Sequence, residues 1–269
     1  MDVGRLRDIA RQIRRDIIEM THAAGSGHPG GSLSSAEIMS VLYFQVMKHD
    51  PKRPSWEERD RFYLSKGHAC PVLYAALGEA GYFDKTEFKW FRKLGAMLQG
   101  HPHRLKTPGV EASSGSLGQG LSLSVGTALG LRLDKRRSRV YCLLGDGELQ
   151  EGQVWEAAMA AGHFRLDNLC AVVDYNNLQI DGEVEKVMGL APLAVKWRAF
   201  RWNALQVDGH SVDALISGFN RATNTKGKPT VLLAKTVKGK GVSFMENRAE
   251  WHGKAPNREE YEKAMEELR

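Results

Sequence analysis

The feature that most constrains this chain is a β-α-β unit written between Arg139 and Asn177. Arg139-Val-Tyr-Cys-Leu-Leu144 is an apolar run of strand length. Gly145-Asp146-Gly147 breaks it with two residues that allow unusual backbone angles and, lacking side chains, let a ligand approach the main chain. From Glu148 to Gly162 the pattern is helical, so Gly147 and Glu148 are expected near a helix N-terminus, where anions are favoured. Leu169–Val173 is the next strand, and Asp174-Tyr175-Asn176-Asn177 follows at its C-terminal end. In a parallel sheet, ligands gather at the carboxyl ends of the strands. Asp146 and Asn176 are thus expected at one edge. With a nearby backbone carbonyl they form an oxygen-only donor set, suited to Mg²⁺ or Ca²⁺ bridging to phosphate oxygens.

At 269 residues the chain is long enough for one large α/β domain, a central and mainly parallel sheet flanked by helices. The formal net charge is +6, but the 38 Lys and Arg are interleaved with 32 Asp and Glu. No basic block alternates with aromatics, so nucleic acid is not an expected partner. No apolar run is long enough to span a bilayer. Cys70, Cys142 and Cys170 lack metal spacing and read as reduced thiols of a cytoplasmic protein.

Along the chain, Arg5–Met20 is an amphipathic packing helix with Leu6, Ile9, Ile13 and Ile17 on one face. Four glycines and Pro29 surround His28 in an expected constrained loop, and Ser34 or Ser35 is expected to cap a helix running to about Val46. Arg61–Ser65 is a strand, and Lys66-Gly67-His68-Ala69 places His68 at the strand-to-helix junction. Phe88 and Phe91 read as core, and the loop around His101 and His103 as a lid or binding loop. Ser113–Gly120 opens a helix over 121–133. Its Gly126, Ala128 and Gly130 suggest a small face for tight packing, as against a second protomer. Strands are expected at 202–207 and 230–236, a helix at 212–224, a turn at Lys238–Gly241, and a last helix from Arg258.

The residues Gly145-Asp146-Gly147, then 28 others (148–175), then Asn176-Asn177, resemble the thiamin diphosphate signature. In order the chain also carries G-H-P-G-G, S-K-G-H-A, G-H-P, S-S-G-S-L-G-Q-G, G-D-G-E-L-Q-E-G, Y-N-N-L-Q-I-D-G and W-H-G-K-A-P. This series is similar to the N-terminal, diphosphate-binding domain of transketolase, over nearly the whole chain. It looks less like deoxyxylulose-phosphate synthase, and less still like pyruvate dehydrogenase alpha subunits.

The resemblance implies ketol transfer, as in the pentose phosphate pathway: a two-carbon unit passes from a ketose phosphate to an aldose phosphate on thiamin diphosphate. Position by position, it implies a metal held by Asp146, Asn176 and the carbonyl of Leu178. Gly145, Gly147 and Glu148 would lie by the diphosphate. His68 and His252 would approach the diphosphate and the reacting carbon, and His28 and His101 the sugar hydroxyls. Gly115, Ser116 and Leu117 would line the aminopyrimidine, with Ser116 where the family commonly has Pro. Glu151 has two readings, a surface carboxylate complementing a helix dipole or a proton relay at an interface between subunits.

A transketolase is more than twice this length, and the pyrimidine-binding and C-terminal domains have no counterpart in residues 1–269. The expected protein is therefore the N-terminal subunit of a split enzyme, inactive alone and paired with a C-terminal subunit as two copies of each. Met1 and the polar helical terminus read as natural ends. The alternatives are a cofactor-binding or regulatory protein without catalysis, or a related ketol- or acyl-transfer enzyme resembling deoxyxylulose-phosphate synthase. The sugar-side histidines, His28 and His101, favour the enzyme.

Overall fold

The computed structural model describes residues 1–269. Helices α1 (Val3–Ala24), α2 (Pro29–Leu33) and α3 (Ala36–Val41) precede strand β1 (Arg61–Leu64). Then come α4 (Cys70–Glu79), α5 (Gln119–Leu133), β2 (Val140–Gly145), α6 (Gly152–His163) and β3 (Leu169–Tyr175). A small antiparallel pair, β4 (Leu178–Gln179) and β5 (Gly182–Glu183), leads to α7 (Val184–Met188) and α8 (Leu193–Ala199). The chain closes with β6 (Asn203–Asp208), α9 (Val212–Asn224), β7 (Thr230–Lys235) and α10 (Arg258–Glu267).

Five strands form one wholly parallel sheet in the order β1-β2-β3-β7-β6. Residues alternate between its faces with period two. On β2, Tyr141 and Leu143 enter one core with α1, α3, α4 and α9, whereas Val140, Cys142 and Leu144 enter another with α5, α6 and α8. On β3, Cys170 and Val172 divide from Leu169, Ala171 and Val173 in the same way. Burial on both faces explains why β2 and β3 read as continuous apolar runs. The expected parallel α/β sheet is present, and its register sets Gly145 opposite Asp174, and Asp174 opposite Ala234. Three strand ends therefore converge where the glycine break begins.

Phe88 and Phe91 are buried, as expected of core aromatics, and all three cysteines are buried free thiols. No helix is long and apolar enough to cross a membrane.

Several local expectations are corrected. A separate short helix, α2, begins at Pro29, ahead of the expected one, and Ser35 stands at the expected N-cap position of α3, although neither serine hydroxyl hydrogen-bonds a helix N-terminus. Pro29 lacks the N–H that a first helical turn would leave unpaired. The Ser34 hydroxyl instead donates to Asp174 Oδ2 at 2.6 Å, and that of Ser35 to the Gly31 carbonyl. The helix expected from Glu148 is interrupted: Gly147–Gln150 is a 3₁₀ turn, and α6 starts at Gly152. Glu151 is thus the extended N-cap residue of α6, not part of its first turn. Nor do Gly145 and Gly147 adopt left-handed angles; a Cβ added at Gly147 would lie 3.1 Å from Gln179 Cβ, whereas one at Gly145 would meet only ordinary contacts. On α5, Ala128 is buried in the core while Gly126 and Gly130 have open space beside them, so the three do not share one face.

Candidate functional site

The carboxyl edge of the sheet opens into a cavity of about 500 Å³. Four of the five strands lead residues into it. β1 leads into Lys66 and, through a 3₁₀ turn at Gly67–Ala69, His68. β2 ends at Gly145-Asp146, β3 runs on to Asp174 and Asn176, and the turn after β7 contributes Lys238. From outside the sheet, the loop before α2 brings His28, and a 3₁₀ turn at Ala249–His252 brings His252.

Three histidines form a cluster. The rings of His68 and His252 are stacked with centroids 4.9 Å apart, and His28 meets both edge-on at 5.3 and 5.5 Å. Burial pushes all three imidazoles down, aided by nearby positive charge: His28 to about 4, His252 to about 3, and His68 well below its ordinary value. They are neutral at pH 7 and can accept or donate protons. His28 Nδ1 is buried with no partner inside the chain. His252 Nδ1 lies 3.0 Å from the ammonium of Lys238, so that nitrogen accepts and the proton belongs on Nε2. His101 stands beside this cluster but does not line the cavity. Its ring packs on Gly115, where an added Cβ would lie 3.2 Å from His101 Cδ2.

Asp146, Asn176 and Leu178, expected as oxygen donors, all line the cavity. Asp146 Oδ2 accepts the Asn177 N–H at 2.5 Å, which ties the carboxylate to the loop holding Asn176 and Leu178. Asn176 Oδ1 accepts the Leu178 N–H at 3.0 Å, and its Nδ2 donates to Asp174 Oδ2 at 3.1 Å. Burial, with Asp174 nearby, pushes the Asp146 carboxyl up to about 6, so the pocket favours added positive charge beside it. One carboxylate, one amide oxygen and one backbone carbonyl fit a hard divalent cation. No three His, Cys, Asp or Glu side chains cluster as a metal site.

The remaining sequence-selected residues divide. Gly115, Leu117, Gly145 and Gly147 line the cavity, whereas Ser116 is exposed and outside its lining. Glu148 reaches the cavity wall, but its carboxylate is engaged by the Ser65 hydroxyl and by the N–H groups of Gly118 (2.9 Å) and Gly145 (3.0 Å). It buttresses the Gly118 and Gly145 loops. Glu151 is exposed at the rim.

Three buried residues of the site, Lys66, Asp174 and Lys238, were not selected from sequence. Lys66 donates to Asp174, Ser35 Oγ and the Gly31 carbonyl at 2.6–2.8 Å. Lys238 donates to the Leu178 carbonyl at 3.0 Å, and burial pushes its ammonium down to about 8. The signal for all three was position. Each follows or ends a strand, at the edge already used to choose Asp146 and Asn176.

The family described as "Transketolase, thiamine diphosphate binding domain" matches residues 6–268. The chain is 45% identical to the 6-deoxy-6-sulfo-D-fructose transketolase subunit SqwG of Clostridium sp. (strain MSTE9), over 98% of this chain and 96% of that one. It is 40% identical to one of the subunits of the apulose-4-phosphate transketolase of Phocaeicola vulgatus, over 100% and 95%. Human transketolase is 43% identical over 98% of this chain but only 42% of its own length. The crystal structure of Campylobacter jejuni transketolase superposes with a TM-score of 0.94 at 34% identity, covering all of this chain and 43% of that one. The chain thus spans about two fifths of these longer transketolases and nearly all of the two relatives that are themselves subunits. Its fold, its site and these matches agree: the chain belongs to the transketolase family, through that family's thiamin diphosphate binding domain.

Proposed function

We propose that this chain is the diphosphate-binding subunit of a two-subunit transketolase, with residues 1–269 as one domain. The observation that carries this reading is the convergence of Asp146, Asn176 and Lys238 with the neutral histidines at one sheet edge. The bound thiamin diphosphate would supply the nucleophilic carbon on which a ketose is cleaved. Asp146, Asn176 and the Leu178 carbonyl would hold Mg²⁺ or Ca²⁺ against the diphosphate. Lys238 would add a second positive charge, and the Gly145 and Gly147 backbone would let the phosphates approach. Gly115 and Leu117 would flank the pyrimidine, with Ser116 nearby.

His68 and His252 would bind the cofactor and face the reacting carbon. His28, with a free buried Nδ1, would take the donor hydroxyl proton, and His101 would bind the acceptor side. Glu151, exposed at the rim, would reach the partner rather than the substrate. The substrates would be ketoses and aldoses bearing a terminal anion. Phosphate and sulfonate sugars both belong to that class, as the names of these two relatives indicate.

The partner would be a C-terminal subunit carrying the pyrimidine domain. Ile180 and Met188, 70% and 61% exposed at the cavity mouth, are apolar surface such a chain would cover. Two copies of each chain would satisfy the symmetry usual in assemblies.

The test is reconstitution. The purified chain alone should bind cofactor weakly and transfer no ketol unit, and a pyrimidine-domain chain from the same organism should restore both. Donors would include xylulose 5-phosphate, 6-deoxy-6-sulfo-D-fructose and apulose 4-phosphate, with native mass giving the stoichiometry. Ketol transfer by this polypeptide with the partner excluded by mass spectrometry would overturn the two-subunit reading.

A further inference from the structure

We propose that His210 is a positioning residue for Lys238, acting through the backbone N–H of Val237. The proposal rests on the reading above in one respect, that Lys238 faces the diphosphate.

His210 lies in the turn after β6, at the same carboxyl edge but outside the cavity lining. Its Nε2 accepts the Val237 N–H at 2.8 Å. An imidazole that accepts there carries its proton on Nδ1, and that nitrogen lies 3.0 Å from Glu37 Oε2. The partners therefore assign the neutral Nδ1–H tautomer. Glu37, on α3, is also paired with Arg14 of α1 at 2.6 Å, both side chains being nearly buried. Burial opposes ionisation of Glu37, but the His210 hydrogen bond and the Arg14 charge outweigh it and hold its carboxyl down at about 2. Glu37 thus stays a carboxylate and an acceptor for His210.

The chain of contacts runs Arg14, Glu37, His210, Val237, and the next residue is Lys238. On the other side of Lys238, the Gly239 N–H donates to the Gly30 carbonyl at 3.0 Å. Gly239 itself has φ +77°, and an added Cβ would sit 2.4 Å from the Met245 carbonyl oxygen. The backbone is therefore pinned on both flanks of Lys238. A lysine ends in a point charge on a flexible stem, so its aim depends on where its backbone and walls are held. In this structure the ammonium meets the Leu178 carbonyl and His252 Nδ1 at once, each at 3.0 Å; with a metal on that carbonyl, the diphosphate would take its place as the ammonium's partner. A slack 236–239 turn would lose the aim of the ammonium into the cavity.

The experiment uses the chain reconstituted with its pyrimidine-domain partner and measures thiamin diphosphate dissociation constants in saturating Mg²⁺. His210→Asn keeps an amide near Nδ1 but cannot reach Val237, whereas His210→Gln can place an acceptor near Nε2. His210→Ala and His210→Asn are expected to weaken the cofactor about tenfold, within the range for groups that orient a ligand-binding residue. His210→Gln should retain most of the affinity. In a Lys238→Met background, His210→Ala should have no further effect, because groups acting in series give non-additive cycles. Thermal melts keep folding defects apart from affinity. An equal loss in both backgrounds, or native affinity in His210→Asn, overturns the proposal while the cofactor reading stands. If the unsubstituted assembly binds no thiamin diphosphate, the cofactor reading itself fails and the proposal falls with it.

Discussion

Lys66 Nζ lies 2.6 Å from Asp174 Oδ2, with side-chain exposures of 2% and 1%. Neither group is left short of partners. The ammonium also donates to the Gly31 carbonyl and Ser35 Oγ, while Asp174 accepts from Ser34, Thr236 and Asn176. Burial resists ionisation of Asp174, but the Lys66 charge and these hydrogen bonds prevail and hold its carboxyl below the ordinary value. The pair joins the loop after β1, the end of β3, the turn after β7 and the segment carrying His28.

Removing one partner strands the other charge in the interior. Lys66→Met is expected to destabilise the fold by about 3–5 kcal/mol, the cost of breaking a buried pair from one side. Urea unfolding of the purified chain measures it. A loss under about 1 kcal/mol, the scale of an exposed pair, would show that Asp174 is solvated or protonated without Lys66.

Asp146→Ala removes the one carboxylate of the proposed metal set. Cofactor binding by the assembled enzyme should disappear while circular dichroism stays that of the native fold. Tight binding by this variant in the presence of chelator would refute the assignment.

The histidines should separate by role. His28→Ala and His101→Ala are expected to keep cofactor affinity and lower turnover by about 10²–10⁴, the usual contribution of a positioned acid–base group. His68→Ala should weaken the cofactor as well. Equal cofactor loss in all three would mark them as structural.

Stability should carry the signature of the neutral imidazoles. His28 and His252 titrate near 4 and 3 in the fold, against an ordinary 6.5. Between those values and 6.5 the unfolded chain binds protons that the folded chain refuses, so their contribution is lost as pH falls. Asp146 runs the other way. Raised from 3.8 to about 6, its contribution is present below 3.8 and lost as pH rises through 6. A His28→Gln/His252→Gln variant isolates the histidine part. Its urea midpoint should decline less than that of the native chain between pH 6.5 and 4.5, and parallel declines would contradict the buried-neutral reading.

The β-α-β unit was legible because its signals are local. Alternating burial on a two-sided sheet writes apolar runs such as 139–144 and 169–173, and a strand end at a ligand edge writes Gly-Asp-Gly and Asn-Asn. Asp146, Asn176, His28, His68 and His252 could be selected on that basis together with the family resemblance, and the fold brings all five into one cavity. Helix starts were less legible. Pro29 opened an additional short helix ahead of the one that Ser35 begins, and the Ser34 hydroxyl was drawn away by a carboxylate 140 residues further along.

Lys238, Asp174 and His210 lay beyond a local reading for the same reason. Their meaning is set by partners that only the strand order supplies: β7 inserts between β3 and β6, so the turn after it faces Leu178 on one side and His210 on the other. A lysine in a Lys-Gly-Lys-Gly turn has the local pattern of a solvated surface residue. It becomes a buried site cation because three strand ends, separated in sequence, close around it and exclude water. Hydrophobic periodicity encodes which residues lie inside a sheet. Which polar groups meet at its edge is decided by topology.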